Sequence, residues 1–151
     1  MRIRLPGLLL LFWCSLVLGQ HTDLSTYDAY FQALKALEHQ KALSHLERID
    51  DPQYTQPLEV FAQLTYEGFL GNSKRYQADC VVRTSDDPFL NAVYQLNTGY
   101  YKFYFLQDRT AAYPHFYSAL ERANETAYAP LQRRALLAIL EYFHHEIARN
   151  N

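Results

Sequence analysis

Asp50-Asp51-Pro52 returns as Asp86-Asp87-Pro88, and Phe69-Leu70-Gly71-Asn72 is echoed by Phe105-Leu106-Gln107-Asp108, both at an offset of 36 residues. A fixed period in the range of roughly 20–50 residues marks stacked supersecondary units, because each unit alone leaves an apolar face that only its neighbour covers. Between the repeated landmarks, apolar residues recur at helical and not at strand spacing. Only 5 Gly and 6 Pro are present in 151 residues, too few for a turn-rich all-β fold. The expected fold class is therefore all-α: a right-handed solenoid of three antiparallel helix pairs plus a C-terminal helix.

Apolar residues make up 49% and charged residues 20%, a balance that supports a packed core and not a disordered chain. The formal net charge of −2 argues against nucleic acid as a partner.

The first residues form a separate text. Arg2 and Arg4 give a short basic start, and Leu8 to Leu18 is almost wholly apolar. The run is shorter than the roughly 20 apolar residues of a spanning helix and follows Pro6-Gly7. It reads as a secretory signal peptide over residues 1–19, cut between Gly19 and Gln20 with Val17 and Gly19 at the small-residue positions. The alternative is an uncleaved membrane anchor. The helical domain then spans 20–151, and the expected localisation is secreted or periplasmic. Cleavage removes Arg2 and Arg4, leaving 12 basic against 16 acidic residues. It also removes Cys14, so Cys80 stands alone and no intrachain disulfide is expected.

Capping residues and apolar spacing place the helices. Ser25 opens the first, with Asp28 in its first turn and Tyr27, Tyr30, Phe31, Leu34 and Leu37 along one face. Ala42, Leu43, Leu46 and Ile49 mark the second, which Asp50, Asp51 and Pro52 end. Pro57 is expected to open a third that runs to Leu70 and stops at Gly71-Asn72. Ser73 caps a fourth carrying Tyr76, Ala78, Cys80, Val81 and Val82. Asp87 and Pro88 serve as N-cap and first residue of a helix reaching about Leu106. Its partner spans about Thr110 to Asn124, and a last helix runs from Pro130 to about Arg149.

Ala112, Phe116 and Ala119, with Phe103 in the preceding helix, stand at the spacing of a known helical-hairpin repeat. Ala42, Leu46 and Ile49 hold the corresponding places in the first unit, with Pro52 near its end; Ala78, Val82 and Ser85 do so in the second. The chain thus resembles the tetratricopeptide repeat over about residues 24–149. The family's first-helix Trp and Leu-Gly pair are absent from register, and Gly68 and Gly99 are out of line with their units' Ala. The resemblance implies a groove lined by the first helices of each pair, a protein or extended peptide as partner, and a place as the N-terminal sensing part of a larger signalling protein. A membrane then enters only through an uncleaved leader or a segment beyond this chain.

Within that architecture the residues Asn91, Tyr94, Gln95, Thr98, Tyr101 and Lys102 share one helix face and form the candidate partner-binding site. Tyr supplies contact area at low entropy cost, and the polar side chains offer hydrogen bonds to a peptide. The bland reading is a solvated face over a core of Tyr100, Phe103 and Tyr104. A second candidate is an assembly face on the last helix, where Leu136, Leu137, Leu140, Phe143 and Ile147 widen the apolar stripe. It points to a homo-oligomer or to a longer solenoid.

No catalytic constellation, cofactor or metal is expected. Glu141, His144 and His145 are too few ligands for a specific metal site. His39 and His45 have no catalytic partner in sequence, and Cys80 reads as a small core residue. Asn124-Glu125-Thr126 is a glycosylation acceptor pattern, meaningful only in a eukaryotic secretory pathway.

Overall fold

The structure, a computed structural model, describes residues 23–71 and 83–150. The expected signal peptide and the helix expected from Ser73 through Val82, with Cys80, lie outside the described residues. Among the described residues every regular element is helical. A 3-10 turn (Leu24–Tyr27) leads into α1 (Asp28–Lys35), followed by α2 (His39–Leu46), α3 (Pro52–Phe69) and α4 (Pro88–Tyr100). A π-helical segment (Tyr101–Phe105) continues α4, and α5 (Arg109–Glu125) and α6 (Ala129–Asn150) complete the chain. No helix among the described residues is long and apolar enough to cross a membrane.

Two starts differ from the sequence expectation. Asp23, not Ser25, caps the first turn, its carboxylate accepting from the Ser25 N–H at 3.1 Å. The third helix begins at Pro52, with Pro57 inside it. Proline is best tolerated at the first helical position, where its missing N–H has no partner to lose. Pro57 gives up one internal bond, and that turn is instead tied down from outside. The Pro57 carbonyl accepts from Asn97 Nδ2 at 3.0 Å, and the Leu58 carbonyl accepts from the buried Tyr30 hydroxyl at 2.6 Å.

The core follows the apolar spacing. Tyr30, Leu58, Phe61, Leu96, Phe116 and Leu131 are each fully enclosed and come from α1, α3, α4, α5 and α6. The small residues Ala112, Ala119, Ala123, Ala135 and Ala138 are fully buried on α5 and α6, and their size lets these helices approach their neighbours. Gly99 makes room for a ring: a Cβ there would stand 2.5 Å from Phe116. Gly68 does the same for Tyr104, also at 2.5 Å.

Among the described residues, successive helices pack on one another from α1 to α6. In addition α6 reaches back to α1. Tyr128 donates to the Asp28 carboxylate at 2.6 Å and sets its ring edge-on to Phe31, with centroids 5.7 Å apart. In an open solenoid each unit touches only its neighbours, so this first-to-last contact is closure that such an array lacks. It also sets α6 beside α1 at an apolar cleft.

Candidate functional site

The cleft lies where α1, α3, the α4–π segment and α6 meet. Leu34, Ala62, Thr65, Tyr66 and Tyr104 form its walls, around a volume of about 170 Å³. The rim carries three large apolar side chains open to water: Leu37, Phe69 and Leu70, which are 76%, 73% and 48% exposed. Leu37 is held there by the way α1 ends. Its φ is 59°, in the left-handed region. The Glu38 N–H returns to the Ala33 carbonyl at 2.9 Å and the Leu37 N–H to Leu34 at 3.0 Å. This is the helix-stop hydrogen-bond pattern that normally places glycine at the left-handed position. A leucine there costs energy and gains no burial.

The floor is polar. Arg134 and Glu141 lie seven residues apart on one side of α6. The guanidinium donates to Glu141 Oε1 at 3.2 Å and to the Tyr100 hydroxyl at 2.6 Å, and Tyr100 donates to Glu141 Oε2 at 2.6 Å. The guanidinium also lies over the Tyr100 and Phe61 rings, 5.1 and 5.4 Å from their centroids. Burial, then the Glu141 charge, pushes the Tyr100 hydroxyl well above its usual range against the opposing pull of Arg134, so it is a neutral donor. Burial works against the Arg134 charge, but Tyr100 and Glu141 outweigh it and raise its pKa. Arg134 Nε remains buried without a partner.

His39 stands at the edge, its ring stacked on Tyr66 with centroids 4.3 Å apart. Burial lowers its pKa, so the ring is neutral at neutral pH, and its Nδ1 is buried without a partner. The cleft thus has apolar walls and a floor whose one cation and one anion compensate each other.

The residues expected to bind a partner lie elsewhere, along α4 and the start of the π segment. They form a strip and do not line the clefts described here. Asn91 donates to the Ser85 carbonyl at 2.7 Å, and Gln95 bonds His115 Nδ1 at 2.8 Å. Thr98 is buried and donates to the Tyr94 carbonyl at 2.9 Å. Tyr94, Tyr101 and Lys102 are half-buried, with Tyr101 stacked on Phe105.

On α6 the expected assembly residues separate. Leu136, Leu140, Phe143 and Ile147 are exposed and fall within one narrow stripe by helical geometry. Leu137 is also exposed but faces α1, lining a second apolar hollow with Phe31, Leu34 and Arg133. Glu141, His144 and His145 are also divided: Glu141 serves the floor of the cleft, whereas His145 sets its ring against Phe103 at 5.2 Å. Among the described residues no group of three metal-ligating side chains is gathered. A polar hollow of about 430 Å³ beside His145 holds Arg109 and Arg149, both drawn to Glu146 at 3.6 and 3.9 Å.

Neither Tyr100 nor Arg134 is among the site residues expected from the sequence. The usable signal was the seven-residue interval from Arg134 to Glu141, which keeps two opposite charges on one flank of a buried stripe. Fold and cleft together define an all-α protein with an internally charge-balanced apolar cleft. No protein-family model, no curated protein and no solved structure matches the chain.

Proposed function

We propose that this chain is a non-catalytic binding module that acts outside the cytoplasm, secreted or periplasmic, and takes a protein or an extended peptide. Its architecture is read as a degenerate tetratricopeptide-like array, here closed by the contact of its last helix with its first. A position as the N-terminal sensing part of a larger signalling protein fits this reading. The observation that carries it is the rim of the cleft. Leu37, Phe69 and Leu70 surround an apolar opening, and a leucine is kept in a conformation that suits glycine. Convergent polar groups under an apolar opening are the usual anatomy of a binding site.

Photo-crosslinking in the native host tests this, with the reactive group at position 69 in one variant and 101 in another. A discrete partner captured from 69 supports the cleft, and one captured only from 101 returns the site to Asn91, Tyr94, Gln95 and Lys102. Capture from neither withdraws the protein-binding reading.

A second reading is favoured by one observation. The exposed residues Leu136, Leu140, Phe143 and Ile147 are spaced four, three and four apart. This is the spacing of a coiled-coil seam and supports a homo-oligomer assembled through α6. Light scattering on Leu140→Glu tests it: an oligomer that falls to monomer supports assembly, and a monomeric unsubstituted chain ends it.

A further inference from the structure

We infer that the cleft takes a single uncharged aromatic group joined to a secondary amide, the chemistry of an aromatic residue inside a peptide or of a small aromatic amide. This inference rests on the binding reading of the same site.

Size sets the first limit. A cavity of about 170 Å³ is close to the roughly 150 Å³ apolar cavity that stays dry and takes up benzene. It accommodates one ring and excludes a folded helix or a long acyl chain. The walls supply ring neighbours, with Tyr66, Tyr104 and Tyr100 all bordering the space. Aromatic pairs gain from edge-to-face and offset contact beyond simple area burial.

Charge sets the second limit. The charged groups lining the cleft are Arg134 and Glu141, and they already pair at 3.2 Å. His39 is kept neutral by burial, and the Tyr100 hydroxyl stays protonated. A ligand carboxylate would bring a second anion beside Glu141, and a ligand ammonium a second cation beside Arg134. Neither finds a free counter-charge, and desolvating an uncompensated ion is costly.

Hydrogen bonding sets the third limit. Two buried atoms of the lining residues lack partners: Arg134 Nε, which donates, and His39 Nδ1. A secondary amide brings both an acceptor for the guanidinium and a donor for an unprotonated ring nitrogen. An unpaired buried polar atom costs free energy that such a ligand recovers.

The purified chain is titrated with N-acetylphenylalaninamide by ligand-observed NMR, beside the anionic N-acetylphenylalanine and the ringless N-acetylalaninamide. The expected result is saturable binding of the neutral aromatic amide, with Kd about 1–10 mM as suits one small ring, and at least tenfold weaker binding of the other two. Thr65→Met, which fills the wall, is expected to lower affinity tenfold or more. Arg134→Lys, which keeps the charge and removes the Nε donor, provides the second variant if Thr65→Met does not fold; it too is expected to weaken the amide. Equal binding of the anion, affinity unchanged in a folded Thr65→Met or Arg134→Lys, or no saturable binding overturns the inference. The two sources separate cleanly. Amide binding with no partner captured from position 69 assigns the cleft to a small aromatic amide and ends the reading of the cleft as a protein-binding site. A captured partner without aromatic discrimination keeps that reading and ends this one.

Discussion

Leu37 shows how much one residue discloses at this site. A non-glycine residue in the left-handed region pays a steric cost of order 1 kcal/mol, and Leu37 recovers none of it by burial, being 76% exposed. Leu37→Gly is expected to raise stability by about 0.5–1 kcal/mol, seen as a higher urea midpoint with an unchanged slope. The same variant is expected to lose crosslinking or ligand affinity at the cleft. Arg134 and Glu141 behave in the opposite way. Removing one member of a paired, largely buried couple strands the other. Because the Glu141 side chain is 37% exposed, Glu141→Gln is expected to cost only about 1–2 kcal/mol and Arg134→Met about 2–3 kcal/mol. The double variant should cost clearly less than the two single losses together, measured by a double-mutant cycle in urea; strict additivity would show that the pair is not coupled.

At the scale of elements, the repeated Asp-Asp-Pro tripeptide performs two different tasks. Asp87 caps α4 by accepting from the Leu90 N–H at 2.9 Å, and its other oxygen takes the Tyr54 hydroxyl at 2.8 Å. Asp51 stands at the equivalent place before α3, yet its side chain makes no capping bond. Asp87→Ala is therefore expected to cost about 1–2 kcal/mol and Asp51→Ala under about 0.5 kcal/mol. Equal losses in thermal melts would mean that the two turns are equivalent after all. The π segment is the other instructive element. Its extra residue carries the chain so that the Asp108 N–H closes onto Lys102 at 2.9 Å. That bond spans six residues, one more than the Glu38–Ala33 closure of α1. Apolar spacing near Tyr101 to Leu106 is compatible with an ordinary helix, so no sequence signal disclosed the insertion. What fixes it is the packing of Phe103 and Tyr104 against α5 and Gly68.

The whole molecule carries a pH signature. Burial lowers the pKa of His39 and of His115, the latter with help from Lys102. Below the unfolded histidine value of 6.5 the unfolded chain binds protons that the folded chain refuses, so stability falls as pH drops. Burial raises Tyr30 and Tyr100 well above 10.0, so above that pH the unfolded chain releases protons that the folded chain keeps, and stability falls again. The urea midpoint is expected to be flat between these limits and to decline on both sides. His39→Phe should shrink the acid limb that begins near 6.5; an unaltered acid limb would remove His39 from the account.

Much of the fold was legible because it is local. Asp87 before Pro88, Gly71 after Phe69 and the regular spacing of Tyr27, Tyr30 and Phe31 each act through their own turn of backbone, so the sequence alone determined an all-α chain and most helix limits. Pro57 misled because proline is compatible with both a helix start and an interior turn tied down by Asn97 and Tyr30. The candidate cleft was not legible. Its rim comes from the ends of α1 and α3, and its floor joins Tyr100 to residues 34 and 41 positions away. The packing of α6 on α4 and its return onto α1 bring these groups together. That return depends on which apolar faces cover one another, a choice made by long-range packing and not by the conformational preference of any one segment.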